Sequence, residues 1–78
     1  MKTVEDEIEA RELARIIGGF LDTLPPENRV IFMRRYWFAD SYKDIAELTG
    51  LTEKTISVRL TRIREKMKWH LMERGVIV

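Results

Sequence analysis

Cysteine is absent from the chain, so neither a disulfide nor a thiolate metal site can support the fold. The absence fits a reducing compartment. There is one histidine, His70, which excludes a His-rich metal cluster. No stretch approaches the roughly 20 apolar residues needed to cross a bilayer. The start, MKTVEDEIEARE, is acidic and lacks the apolar run of a signal peptide. A cytoplasmic protein with no membrane partner is therefore expected. Alternating Val/Ile/Thr runs and Asn-Gly or Asp-Gly pairs are missing, which argues against strands and hairpins. There is also no glycine-rich phosphate loop and no nucleophile beside a histidine. The carboxylates fall on exposed helical turns, away from any apolar pocket that would raise a pKa. The expectation is a protein that is not an enzyme and has no catalytic residue, cofactor or metal.

With 78 residues the chain is read as one domain. A domain of this size buries only about 60% of the surface its unfolded chain exposes, enough for a modest core. The net charge of +1 conceals an uneven distribution. Residues 1–50 hold seven Lys/Arg and ten Asp/Glu, whereas residues 51–78 hold seven Lys/Arg and three Asp/Glu. A basic rear half behind an acidic front suggests that one element meets a polyanion.

Apolar periodicity predicts an all-α, four-helix compact domain, with helices one and two in residues 1–40 and a helix-turn-helix in 41–75. In the first helix, about residues 4–23, Leu13, Ile16, Ile17, Phe20, Leu21 and Leu24 form one stripe. Gly18-Gly19 interrupts it and is read as a point of close approach by another helix, with a bend as the second option. Pro25-Pro26 ends that helix and suits the first turn of the next. The second helix, about 26–37, is apolar on most sides. Tyr36, Trp37 and Phe38 are read as core aromatics. Ser41 with Asp44 reads as a capping box opening a short helix over 42–49, with Ile45, Ala46 and Leu48 inward. Gly50 suits a left-handed C-cap. Thr52 caps a fourth helix that runs to about Arg74 and is stopped by Gly75. His70 is expected at the surface. The tail Val76-Ile77-Val78 is left open between folding back, dimerising and staying loose.

Thr49-Gly50-Leu51-Thr52 is a tight corner between two helices, as a helix-turn-helix requires. At about 100° per residue, Ile56, Leu60, Ile63 and Met67 fall on one side of the fourth helix. Opposite lie Lys54, Val58 and Thr61, with Arg62 nearby, flanked by Ser57, Arg59, Arg64 and Lys66. A helix of this kind fits the major groove and reads base edges from its N-terminal turns. Val58 suits a thymine methyl, Lys54 and Arg62 suit guanine, and the flanking arginines suit phosphates. The plainer alternative is a solvated cationic face.

Together, LPPENRVIFMRRYWFADSYKDIAELTGLTEKTISVRLTRIREKM resembles region 4 of bacterial sigma factors, especially the extracytoplasmic-function group. The features that carry it are the Leu-Pro break, the Ser-Tyr-x-x-Ile-Ala segment, the Gly-Leu-Thr turn and the Arg-Leu-x-Arg-x-Arg run, in order over about residues 20–68. The resemblance implies binding to double-stranded promoter DNA at the −35 element, with docking on the β flap of RNA polymerase and an anti-sigma factor as a further partner. It implies DNA contacts at Arg35, Thr55, Ser57, Val58, Arg59, Thr61, Arg62 and Arg64. Ser57 stands where the family often has a cation and Val58 where serine is usual, which takes the expected readout away from the familiar consensus. Leu13, Ile17, Leu21 and Leu24 are the candidate polymerase-docking residues, with simple core as the alternative. Region 2, which melts promoters, is not among these residues, so the module alone is not expected to initiate transcription. A monomer is expected. A protein-interaction module and a dimeric response-regulator-type DNA-binding domain are the competing readings.

Overall fold

A computed structural model describes residues 3–76. Its helices are α1 (Val4–Asp22), α2 (Pro26–Tyr36), α3 (Tyr42–Thr49) and α4 (Glu53–Glu73), with no strand among the described residues. The boundaries match the periodicity to within a residue or so, the usual ambiguity at frayed ends.

Each start has a local cause. Thr3 caps α1 with a full capping box: its side chain accepts from the Asp6 N–H at 3.1 Å, and the Asp6 carboxylate accepts from the Thr3 N–H at 3.1 Å. The sequence carried this signal as Thr-x-x-Asp. Pro25-Pro26 begins α2 without a side-chain cap. Ser41 accepts from the Asp44 N–H at 3.0 Å, but no return bond joins the Ser41 N–H to the Asp44 carboxylate, so the expected capping box is corrected to a plain N-cap.

Two apolar clusters meet along α4. Phe20, Leu24, Phe32 and Ile63 join α1, α2 and α4, while Ile31, Ile45, Ile56 and Leu60 join α2, α3 and α4. Adjacent residues of α2, Ile31 and Phe32, enter different clusters, which is why the helix is apolar on more than one side. Met67, expected on the core face of α4, packs half-buried against the first cluster.

The α1 stripe is only partly core. Ile16, Phe20 and Leu24 are buried, Ile17 and Leu21 are half-buried, and Leu13 is exposed. No helix approaches Gly18-Gly19, because a Cβ on either glycine would meet open space, and α1 continues through both. The expected close approach is therefore corrected: a side chain at either position would have room, Gly18 opening onto a groove beside α2.

The aromatic run is also corrected. Tyr36, Trp37 and Phe38 are 49%, 76% and 56% exposed. Helix α2 ends at Tyr36, and the N–H groups of Trp37 and Phe38 both donate to the Met33 carbonyl, at 2.9 and 3.2 Å. The chain then turns through Ala39 at φ +57°, a left-handed conformation uncommon outside glycine. That reversal leaves the rings outside. Two arginines pin the turn: Arg34 faces the Asp40 carboxylate at 2.7 Å as an ion-pair contact and lies over the Phe38 ring. Arg35 donates to the Asp40 carbonyl at 3.0 Å and lies over the Tyr42 ring.

Leu48, expected inward, is 58% exposed. So short a helix buries one narrow face, centred on Ile45, with Tyr42 and Ala46 packed beside it. His70, expected at the surface, is half-buried with its ring 5.2 Å from that of Phe20. At the end of α4, Gly75 at φ +79° donates to the Met72 carbonyl and Val76 to the Leu71 carbonyl, both at 3.0 Å. This is a Schellman motif, and it folds half-buried Val76 back toward Ile8, Leu13 and Ile16. Ile77 and Val78 lie outside the described residues.

Candidate nucleic-acid interface

The corner between α3 and α4 is held by its own short side chains. Gly50 takes φ +76°, and its N–H donates to the Ala46 carbonyl at 2.9 Å. The Thr49 hydroxyl donates to the Ile45 carbonyl at 2.8 Å and accepts from the Leu51 N–H at 3.3 Å. Half-buried Leu51 packs on the cluster below. The Thr52 side chain accepts from the Thr55 N–H at 3.1 Å and starts α4. These bonds fix the angle at which α4 leaves the turn.

From that start the inward ridge is well buried: Ile56 and Leu60 are 0% exposed and Ile63 2%. The opposite side is open. Lys54, Val58, Thr61 and Arg62 are all exposed. Neither Lys54 nor Arg62 has an ion pair among the described residues. Thr55 and Ser57 are half-buried. Thr55 is partly used by the cap, its hydroxyl receiving that of Thr52 at 2.9 Å. The Thr61 hydroxyl donates back to the Ser57 carbonyl at 3.0 Å, which leaves its methyl group and little donor capacity for a ligand.

The flanking arginines have protein partners. Arg59 reaches the start of α2, where its Nη1 donates to the Glu27 carboxylate and to Asn28 Oδ1 at 3.2 Å. Arg64 reaches the end of α2, donating to the Tyr36 hydroxyl at 2.6 Å and to the Thr61 hydroxyl at 3.2 Å. The bond to Tyr36 is the main cause of an upward shift in the Arg64 pKa, so this cation stays charged. Arg35, half-buried, is occupied with the turn after α2. Of the arginines expected to contact DNA, Arg62 is open, whereas Arg35, Arg59 and Arg64 have hydrogen-bond partners within the domain.

Sequence reasoning missed the partners Glu27, Asn28 and Tyr36. They lie 28 to 32 residues from the arginines they hold, and no helical periodicity links positions across separate helices.

Helices α1 and α2 enclose a shallow apolar groove of about 340 Å³, lined in part by Ile17, Gly18, Leu21, Met33, Tyr36 and Trp37. No described helix is long and apolar enough to cross a membrane. The described residues contain no cluster of His, Cys, Asp or Glu arranged to hold a metal.

None of the curated proteins compared matches the chain. The family model for sigma-70, region 4 matches residues 14–67. That span takes in the second half of α1, all of α2 and α3, the corner, and α4 through its inward ridge. With more than half of its length covered, and with the α3–α4 corner inside that match, the chain belongs to the sigma-70 region 4 family.

Proposed function

We propose that this domain reads the −35 element of promoters by laying the first half of α4 in the major groove, and that it docks on RNA polymerase through α1 and α2 during transcription initiation. The observation that carries the reading is the division of α4: Ile56, Leu60 and Ile63 are turned into the core, while Lys54, Val58, Thr61 and Arg62 stay uncovered. Base edges fall to Lys54 and Arg62 as donors and to Val58 as an apolar contact for a thymine methyl. Thr55 and Ser57, near the start of the helix, suit backbone approach. Arg59 and Arg64 stand on opposite flanks of the same helix, where a groove's two phosphate walls would pass.

The docking side rests on the groove between α1 and α2. Ile17 and Leu21 open onto it beside the exposed Trp37, and Leu13 is exposed one turn before Ile17. Leu24 is 7% exposed and belongs to the core, so it has almost no surface to offer a partner.

Selection of bound sequences from a random duplex pool, at a stated salt concentration, tests the reading. The expected product is an asymmetric motif bound by a monomer. A palindromic motif bound by a symmetric dimer overturns it in favour of a different helix-turn-helix regulator. On the selected site, Arg62→Ala is expected to weaken binding by about 1–3 kcal/mol. Specific binding that ignores alanine at Arg59, Arg62 and Arg64 together would refute the assignment of this face.

A further inference from the structure

The flank of α4 nearest the start of α2 carries Arg59, Arg62 and Lys66 around a pocket of about 380 Å³ that also holds the side chain of Glu27. Three cations and one carboxylate share this space. Arg62 and Lys66 have no ion pair among the described residues, whereas Arg59 is paired with Glu27. Asn28 adds a second acceptor to the same Arg59 nitrogen at 3.2 Å. Both bonds come from the one nitrogen, Nη1, and the carboxylate occupies there a place that a backbone phosphate oxygen, an acceptor of the same kind, could take. The pair is not sealed: the side chains of Arg59 and Glu27 are 33% and 51% exposed. An ion pair at that exposure is weak and readily exchanged. A DNA backbone approaching this flank with Glu27 still on Arg59 would bring a phosphate beside the Glu27 carboxylate, and that local repulsion is only partly offset by Arg62 and Lys66.

We propose that Glu27 sets the DNA affinity of this domain by occupying Arg59 in the free protein, so that binding a duplex requires exchange of the Glu27 carboxylate for a backbone phosphate. The proposal rests on the promoter-binding reading above. Its consequence is uniform: Glu27 lowers the affinity for every duplex by the same factor, because the exchange is needed whatever the base sequence, while discrimination between sequences stays with Lys54, Val58 and Arg62.

The test uses the full chain and a fluorescently labelled mixed-sequence duplex of about 25 base pairs, titrated by anisotropy at several salt concentrations, with circular dichroism to confirm the fold of each variant. Glu27→Gln keeps an acceptor for Arg59 but removes the charge. It is expected to tighten binding about three- to tenfold at low salt, with the gain shrinking as salt rises. In the Arg59→Ala background the same change is expected to have little effect, since no cation is left to release. An equal gain in both backgrounds overturns the proposal, because Glu27 then acts only as a distant negative charge. Weaker binding by Glu27→Gln, or no change, also overturns it, the former by making Glu27 a positioning residue for Arg59. Arg62→Ala separates the two claims. If the wild-type chain selects no site from the random duplex pool, or binds its selected site regardless of Arg62, the promoter reading fails and takes this proposal with it. If binding depends on Arg62 but not on the Glu27–Arg59 pair, the exchange alone is wrong.

Discussion

Beneath the α3–α4 corner, Ile31, Ile45, Ile56 and Leu60 are each 0% exposed, whereas from Thr3 to Arg15 every residue is exposed. Both regions are helical, and both begin with a side-chain cap. The difference is in what lies behind the helix. The first half of α1 is stabilised by its capping box, by acidic residues near the positive end of its dipole and by local pairs such as Arg15–Glu12. Such local terms are small in exposed helices, where solvent screens the charges. The corner instead rests on four fully buried side chains, each contributing about 1.5–3 kcal/mol. Regular secondary structure is thus present at both ends, but only one end is fixed by tertiary packing, and it is the end that carries the basic face.

The comparison breaks most easily in the core. Ile56→Ala is expected to cost about 3–5 kcal/mol in urea or thermal unfolding, because it empties a site closed on all sides. Ile16→Ala, at the edge of the packed part of α1, is expected to cost about 2 kcal/mol at most. Equal losses would show that α1 is as tightly integrated as the corner. The caps give a smaller contrast. Thr52→Ala is expected to cost about 1–2 kcal/mol, since losing this cap disturbs the packed start of α4. Thr3→Ala is expected to cost only a few tenths, because the first turns of α1 can open without disturbing the clusters. Comparable effects on global unfolding would contradict that separation. Smallest, and of opposite sign, is Gly18→Ala, expected to stabilise by about 0.5–1 kcal/mol because the added methyl meets open space on a helical backbone. A loss of stability there would reveal a neighbour on that side.

Much of the architecture was legible in the sequence, for local reasons. Helix lengths follow from a 3.6-residue period together with Pro26, Ser41, Gly50, Thr52 and Gly75, each acting within one turn of its position. The inward ridge of α4 follows from the same period. What could not be read are contacts between helices: Arg59 on Glu27, Arg64 on Tyr36, and His70 against Phe20. The outward aromatics show a different limit. Hydrophobicity gave Tyr36, Trp37 and Phe38 to the interior, but the helix stops before the last two, and a left-handed Ala39 turns the chain away. The end of the helix was legible to within a residue, but the direction in which Ala39 at φ +57° turns the chain after it was not. For the candidate site, the open positions Lys54, Val58 and Arg62 were legible because their exposure is the complement of a buried ridge. The engagement of the arginines was not, because it depends on the distance between α2 and α4.

Helix α4 supplies residues to both apolar clusters and also carries the basic face. A force applied by a bound duplex to its outer side is therefore carried through the interior of the whole molecule. The helix cannot tilt or slide to accommodate a mismatched groove without opening two interiors at once. On the proposed promoter reading, adjustment to a wrong sequence would fall to the reach of single side chains rather than to movement of the helix.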